Sequence, residues 1–93
     1  MLVVRVPPEG VILFQQYESR VLPLLAEHGG RLERRLRGNE GTVEVHIVWF
    51  PAPEDFARYR ADARRAECQH LLEASGATSE LIEMGDVDAD TAS

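Results

Sequence analysis

The stretch RLERRLRGNEGTVEVHIVWF, residues 31–50, carries the pattern of a β-hairpin. Apolar and charged residues alternate over residues 31–37, and β-branched residues dominate residues 42–50. Between these halves lies GNEG, residues 38–41, which is typical of a turn. Because successive side chains of a strand point to opposite faces, both halves predict strands with one mostly apolar face.

The segments outside the hairpin predict two further strands and two helices. Apolar residues recur at helical spacing over 11–28, where Pro23 is expected to bend the helix. A second helical stretch covers residues 54–74, either as one helix or as two helices separated near Asp62. The strands are expected near residues 2–6, 31–37, 42–50 and 78–85. The order βαββαβ predicts a ferredoxin-like α+β fold, in which a four-stranded antiparallel sheet carries both helices on one face. Residues 1–87 are expected to form one domain, and the acidic residues 88–93 a flexible tail.

The composition indicates one ordinary globular domain and excludes several functions. The chain has 93 residues, of which 44% are hydrophobic, and its 16 acidic and 10 basic residues give a net charge of −6. A negative chain without a basic stripe is not suited to nucleic acid, whose binding depends on neutralising phosphates. No apolar run approaches the ~20 residues that cross a bilayer, and the N-terminal residues lack the pattern of an export signal. The single cysteine, Cys68, excludes an internal disulfide, so we expect a reduced, cytoplasmic protein.

The turn predicts which residues of the two hairpin strands face each other. A tight turn places Arg35 opposite Glu44 and Glu33 opposite His46, and both pairs are complementary in charge. This pair-bearing face, whose far end is apolar, is expected to pack against the sheet of a second copy in a homodimer. The alternative is a sheet face open to solvent. The mostly apolar opposite face is expected to lie under the helices, and it carries Leu32, Arg34, Leu36, Val43, Val45, Ile47 and Trp49.

His46 is the candidate catalytic residue. A carboxylate partner fixes the orientation of an imidazole, which suits a general acid or base, and the alternative is a structural cross-strand pair. Arg34 interrupts the apolar face, where it binds an anionic or carbonyl group, reaches the sheet edge or pairs with Glu18. Three aromatic residues are expected to point inward, either as core or as the lining of a small-molecule cavity. They are Tyr17, Trp49 and Tyr59. No two histidines have the spacing of metal ligands, so we expect neither a metal nor another cofactor.

Two segments resemble parts of a known family. Residues 17–31 (YESRVLPLLAEHGGR) join the first helix to the second strand, and residues 48–59 (VWFPAPEDFARY) join the third strand to the second helix. Both resemble the corresponding junctions of DUF1330-type proteins, and the second also resembles that of their antibiotic-biosynthesis-monooxygenase-like relatives. These families belong to the dimeric α+β barrel superfamily, which includes cofactor-free monooxygenases, haem-degrading enzymes and isomerases. The resemblance therefore implies a dimeric barrel built from two face-to-face sheets.

The residues and the resemblance together leave two functions open. One is a protein that binds a small apolar or aromatic molecule, without any established catalysis. The other is a cofactor-independent monooxygenase or isomerase that acts on an aromatic or polyketide-like substrate. In that enzyme, His46 or a tyrosine accepts a substrate proton and Arg34 stabilises an enolate. The binding protein is favoured, because no residue pattern demands a nucleophile, metal or flavin and a fold does not determine function. The predicted register also counts against the enzyme, since it places Arg34 and His46 on opposite sides of the sheet.

Overall fold

Four strands and four α-helical segments follow one another along the chain. In the computed structural model, which describes residues 1–87, the expected tail at 88–93 lies outside the described residues. The elements are β1 (Leu2–Arg5), α1 (Val11–Val21), α2 (Leu24–Glu27), β2 (Arg31–Gly38), β3 (Val43–Trp49), α3 (Pro53–Arg60), α4 (Ala63–Ser75) and β4 (Thr78–Leu81). The last strand is shorter than predicted, because its ladder pairing with β1 ends where Leu81 faces Leu2.

The sheet has the strand order β2-β3-β1-β4, and all neighbouring strands are antiparallel. The helices cover one face of this sheet, so the predicted ferredoxin-like α+β fold is confirmed. β1 lies in the interior of the sheet between β3 and β4, which explains why Val4 is among the most deeply buried residues.

Both predicted helices are interrupted where the sequence indicates. The first breaks between α1 and α2 at Leu22 and Pro23, since proline has no backbone N–H to continue the helix. The second breaks before α4, where the Asp62 carboxylate accepts a hydrogen bond from the backbone N–H of Arg64 at 2.9 Å. This is the contact of a helix N-cap. Gly76 ends α4 in the left-handed conformation, with φ of 74°.

The predicted register of the hairpin is wrong by two residues. Arg35 faces His46, and Arg37 faces Glu44, because the turn is wider than predicted. A 3₁₀ turn at Asn39–Gly41 holds the first two of its residues at positive φ, which displaces the strands relative to a tight turn. The ladder is also irregular between Leu32 and Arg34, so Glu33 does not pair with His46 as predicted.

The assignment of the two sheet faces is also wrong. A shift of two residues keeps Arg35, Glu44 and His46 on one face, but the helices cover this face. Glu44 and His46 are 0% and 1% exposed, and α1 places Glu18 over them. The other side, here called the outer face, leaves Ile47 and Trp49 36% and 43% exposed. Strand alternation defines the residues of each face, and it does not determine which face the helices cover.

The core lies between the helices and the covered face of the sheet. The most deeply buried apolar and aromatic residues are Val4, Val6, Phe14, Tyr17, Val21, Leu24, Leu25, Tyr59 and Leu71. The local irregularity in β2 turns Leu32 into this layer, where it packs with Leu24, Leu25 and Tyr59. Within residues 1–87, none of the helices has the length and apolar character needed to cross a membrane.

Candidate functional site

A cavity of about 600 Å³ lies between the covered face of the sheet and the helices. Its walls are largely apolar and come from β1, β3, β4 and the four helical segments. Polar side chains enter it from several elements, and the ones with the clearest chemistry are Tyr17, Glu18, His46, Tyr59 and Arg65. The cavity therefore combines apolar walls with polar groups that could orient a ligand, as small-molecule sites do.

Glu44, two residues before His46 in β3, fixes the orientation of the His46 imidazole by a hydrogen bond. The Glu44 carboxylate accepts hydrogen bonds from Nε of Arg35 at 2.8 Å and from Nε of Arg37 at 2.9 Å. Burial raises the pKa of Glu44, but the hydrogen bonds from Arg35, His46 and Arg37 outweigh it and keep this pKa below its usual value. Because an ionised carboxylate only accepts, Nε2 of His46 donates to Glu44 across 2.8 Å. The other ring nitrogen, Nδ1, is thereby turned toward α1.

Glu18 of α1 meets this second nitrogen of His46. Its Oε2 atom lies 3.8 Å from Nδ1, just beyond hydrogen-bond distance. Burial is the main cause that raises the pKa of Glu18 to about 7, with Arg35 and Arg65 opposing the rise and Glu44 adding to it. A carboxyl group with this pKa is present in both protonation states near neutral pH. Glu18 and His46 can therefore hold and exchange a proton at the cavity wall.

Arg65 of α4 is one of two arginines that line the cavity, the other being Arg60 of α3. Its Nη2 donates to the Tyr17 hydroxyl at 3.1 Å, and its guanidinium carbon lies 4.5 Å from the centroid of the Tyr59 ring. Nε of Arg65 is enclosed and has no hydrogen-bond partner among residues 1–87. Burial raises the pKa of Tyr59 to about 12, so its phenol stays neutral and serves as a wall of the cavity.

The structure brings together three of the five predicted site residues. His46, Tyr17 and Tyr59 line the cavity, whereas Arg34 and Trp49 lie on the outer face. Arg34 pairs with Ile47 in the ladder and shares its outer face. The predictions that Arg34 lies in a cleft under the helices or pairs with Glu18 are therefore wrong. Trp49 was expected under the helices and is instead 43% exposed, with the Arg31 guanidinium carbon 4.4 Å from its ring centroid.

Sequence reasoning misses Glu18 and Arg65 as site residues, although both leave a signal. Glu18 lies four residues after Phe14 and three before Val21, so it falls on the apolar stripe of α1. Arg65 lies three residues before Cys68 on α4, and Cys68 packs against the buried residues Tyr17 and Val21. A charge on the inward stripe of a helix is thus the signal that indicates both residues.

In the described part of the chain, no group of three or more His, Cys, Asp and Glu residues is arranged to hold a metal ion. None of the known protein-family models matches the chain, and neither does any curated protein.

Proposed function

We propose that this chain binds a small molecule in the cavity between its sheet and its helices. The observation that carries this proposal is the cavity itself, whose volume of about 600 Å³ falls within the ~300–1,000 Å³ that is usual for ligand sites. Its apolar wall residues suit an apolar or aromatic ligand, and its polar groups include Glu18, His46 and Arg65.

The polar groups support a binding role over a purely structural one. Titratable side chains are costly to bury unless they are paired. Glu44 is paired with two arginines, but the Glu18 carboxyl makes no hydrogen bond among the described residues and Arg65 leaves Nε without an acceptor. A bound molecule that supplies hydrogen-bond partners to Glu18 and to the accessible Nη1 of Arg65 would offset these costs.

A second candidate function is the cofactor-independent monooxygenase or isomerase. The arrangement of Glu44, His46 and Glu18 favours it, because an imidazole oriented by a carboxylate is a common general base. In this reaction Nδ1 of His46 accepts a proton from the bound substrate and Glu18 relays it. Arg34 has no part in this candidate, since it lies on the outer face.

We also propose that two copies associate through their outer faces, as the resemblance to dimeric α+β barrel proteins implies. Leu36, Ile47 and Trp49 expose apolar surface there, and no helix of residues 1–87 covers their side of the sheet. A second copy would bury this surface and add to the modest core of a chain of this size. The interface would then consist of these residues, and not of the Arg35, Glu44 and His46 group that the sequence placed there.

A thermal-shift screen with aromatic ketones and phenols tests the binding function. The variant Ala66→Trp fills the cavity from α4, and Ala74→Trp is its control, because only Ala66 lines the cavity. A ligand at 100 times its Kd stabilises a protein by about 2.7 kcal/mol, which raises Tm by roughly 10 °C or more in a domain of this size. We expect this rise in the wild type and in Ala74→Trp and its loss in Ala66→Trp. An equal rise in all three proteins would place the ligand elsewhere, and the absence of any rise would refute the binding function.

The enzyme is tested on ligands from that screen by deuterium exchange. A ketone bound beside His46 should exchange the hydrogen on its α-carbon with D₂O solvent, which NMR follows directly. A general base typically contributes about 10²–10⁴-fold to a rate, so His46→Gln should lower the exchange rate by at least about 100-fold. Exchange that is absent, or that is unchanged in His46→Gln, would remove the enzyme from consideration and leave the binding function intact.

A further inference from the structure

Arg65 differs from Arg35 and Arg37, the two arginines of β2 that bind Glu44, in having no anionic partner among residues 1–87. Arg35 and Arg37 both bind Glu44, whereas Arg65 forms no ion pair with any carboxylate of residues 1–87. Its polar contact is the Tyr17 hydroxyl, and its Nε is enclosed without an acceptor. Where Glu18 is neutral, the cavity therefore contains a guanidinium that no carboxylate of the described residues pairs with directly.

Tyr17 completes a pair of donors at this position. Its hydroxyl oxygen accepts from Nη2 of Arg65 and makes no other hydrogen bond among the described residues, so the phenolic proton is free to be donated. Nη1 of Arg65 likewise has no partner, and it is not enclosed as Nε is. The cavity thus presents N–H and O–H donors side by side, which is the arrangement that binds an anionic oxygen.

We infer that Arg65 and Tyr17 recognise a carboxylate carried by an otherwise apolar ligand. This inference rests on the proposed binding function and specifies the chemical class of its ligand. One guanidinium balances one negative charge, and the planar donor edge of arginine matches the two oxygens of a carboxylate. The apolar part of the ligand would lie against the walls formed by Phe14, Val21, Leu25 and Phe56.

The position of Arg65 on the Tyr59 ring supports this role. A guanidinium stacked on an aromatic face is held in place while its N–H edges remain free for a ligand. Arg64, the residue directly before Arg65 in α4, differs from Arg65 because the donors of Arg64 bind Asp62 and Glu27. Two successive arginines therefore have different tasks, one in holding the helices together and one in facing the cavity.

Matched pairs of probes test the inference by isothermal titration calorimetry. The pairs are 2-naphthoate with 2-naphthamide and octanoate with octanamide, which differ in charge and hardly in shape. Measurements at about pH 6 lie below the pKa of Glu18, so that its carboxyl is mostly neutral and does not repel the probe. In the wild type we expect the better-binding carboxylate to bind at least about tenfold more tightly than its amide, the usual scale of a charge-assisted hydrogen bond.

The variants separate recognition of the charge from binding as such. Arg65→Met should bring the affinity for the carboxylate down to that of the amide, and the affinity for the amide should stay within about threefold of the wild type. Tyr17→Phe should lose part of the preference while keeping a folded circular-dichroism spectrum, and it serves as the test if Arg65→Met does not fold. Arg20→Met, which removes an exposed arginine of α1, should behave as the wild type.

The outcomes distinguish this inference from the function on which it rests. If amide and carboxylate bind the wild type equally, or if the preference survives in Arg65→Met, the inference is overturned and the binding function remains. If none of the four probes binds the wild type and none of the ketones and phenols raises its Tm, the binding function fails and the inference fails with it.

Discussion

Glu18→Gln tests whether the charged group under the helices is as buried as the structure places it. The glutamine has the shape of the protonated glutamate and cannot ionise. The native pKa of Glu18 is about 7, against an ordinary value of 4.5 that we assign to the unfolded chain. The difference of about 2.5 pKa units corresponds to about 3 kcal/mol of the free energy of unfolding.

The direction of the effect follows from where the proton is held. Below about pH 4.5 both states keep the proton on Glu18, so this residue adds no pH dependence. Between about pH 4.5 and 7 the native state holds the proton more tightly, so the wild type loses stability as the pH rises. Above about pH 7 the loss is complete and constant. The stability of Glu18→Gln relative to the wild type should therefore rise by about 3 kcal/mol across this range.

Urea unfolding followed by circular dichroism measures this difference at about pH 4.5, 6 and 8, at one fixed protein concentration. The control is Glu67→Gln on the exposed side of α4, which should keep a constant difference from the wild type at all three pH values. Near pH 8, the gain in Glu18→Gln should also raise Tm by roughly 10 °C or more. If Glu18→Gln and the wild type show parallel pH profiles, Glu18 is solvated and the proton exchange with His46 is refuted.

Further predictions concern the outer face and the packing of the helices. Ile47→Glu should convert a particle of twice the chain mass into one of 10.4 kDa in light scattering, because a charge would be buried between the sheets. A wild type that already has the mass of one chain would contradict the dimer. Gly10→Ala should lower the free energy of unfolding by about 1–3 kcal/mol or more in urea, because its Cβ would lie 1.8 Å from the carbonyl oxygen of Ser75. Gly38→Ala, with no atom within 4 Å, should change it by less than about 0.5 kcal/mol, and equal effects of the two substitutions would contradict the close approach of α1 and α4.

The sequence predicts the fold well because its local signals agree with one another. The alternation over residues 31–37, the helical spacing over 11–28 and the breaks at Pro23 and Asp62 all reappear in the structure. Each of these signals comes from the backbone or from near neighbours in the chain. They fix the order of the elements, and the order βαββαβ leaves few ways to arrange four strands and their helices.

The register and the covered face were predicted wrongly for reasons that local patterns do not contain. The width of the turn depends on Asn39 and Glu40 adopting positive φ, which neither residue type requires. The choice of covered face depends on a distant residue, since Glu18 of α1 meets the His46 side of the sheet. The apolar appearance of the opposite face suggested a core, although the same residues suit an interface between copies.

The candidate site was only half predictable for a related reason. His46, Tyr17 and Tyr59 were identified from their chemistry and their place on a strand or helix, and they do line one cavity. Arg34 and Trp49 were included because the covered face was misassigned. Arg65 could be found only by treating a charge on an inward helical stripe as a site residue, and its neighbours from α1 and α3 come together through tertiary packing alone.

The central claim, a ligand bound in the cavity beside His46, is tested most directly by NMR of the chain with ring-labelled histidine. The titrant is the compound that most stabilises the protein in the thermal-shift screen. His46 lines the cavity, whereas His70 is exposed on α4 and serves as the internal reference. We expect the ring signals of His46 to shift and saturate at the affinity found by calorimetry, while those of His70 stay in place. Saturable binding that leaves the His46 signals unchanged would contradict the central claim.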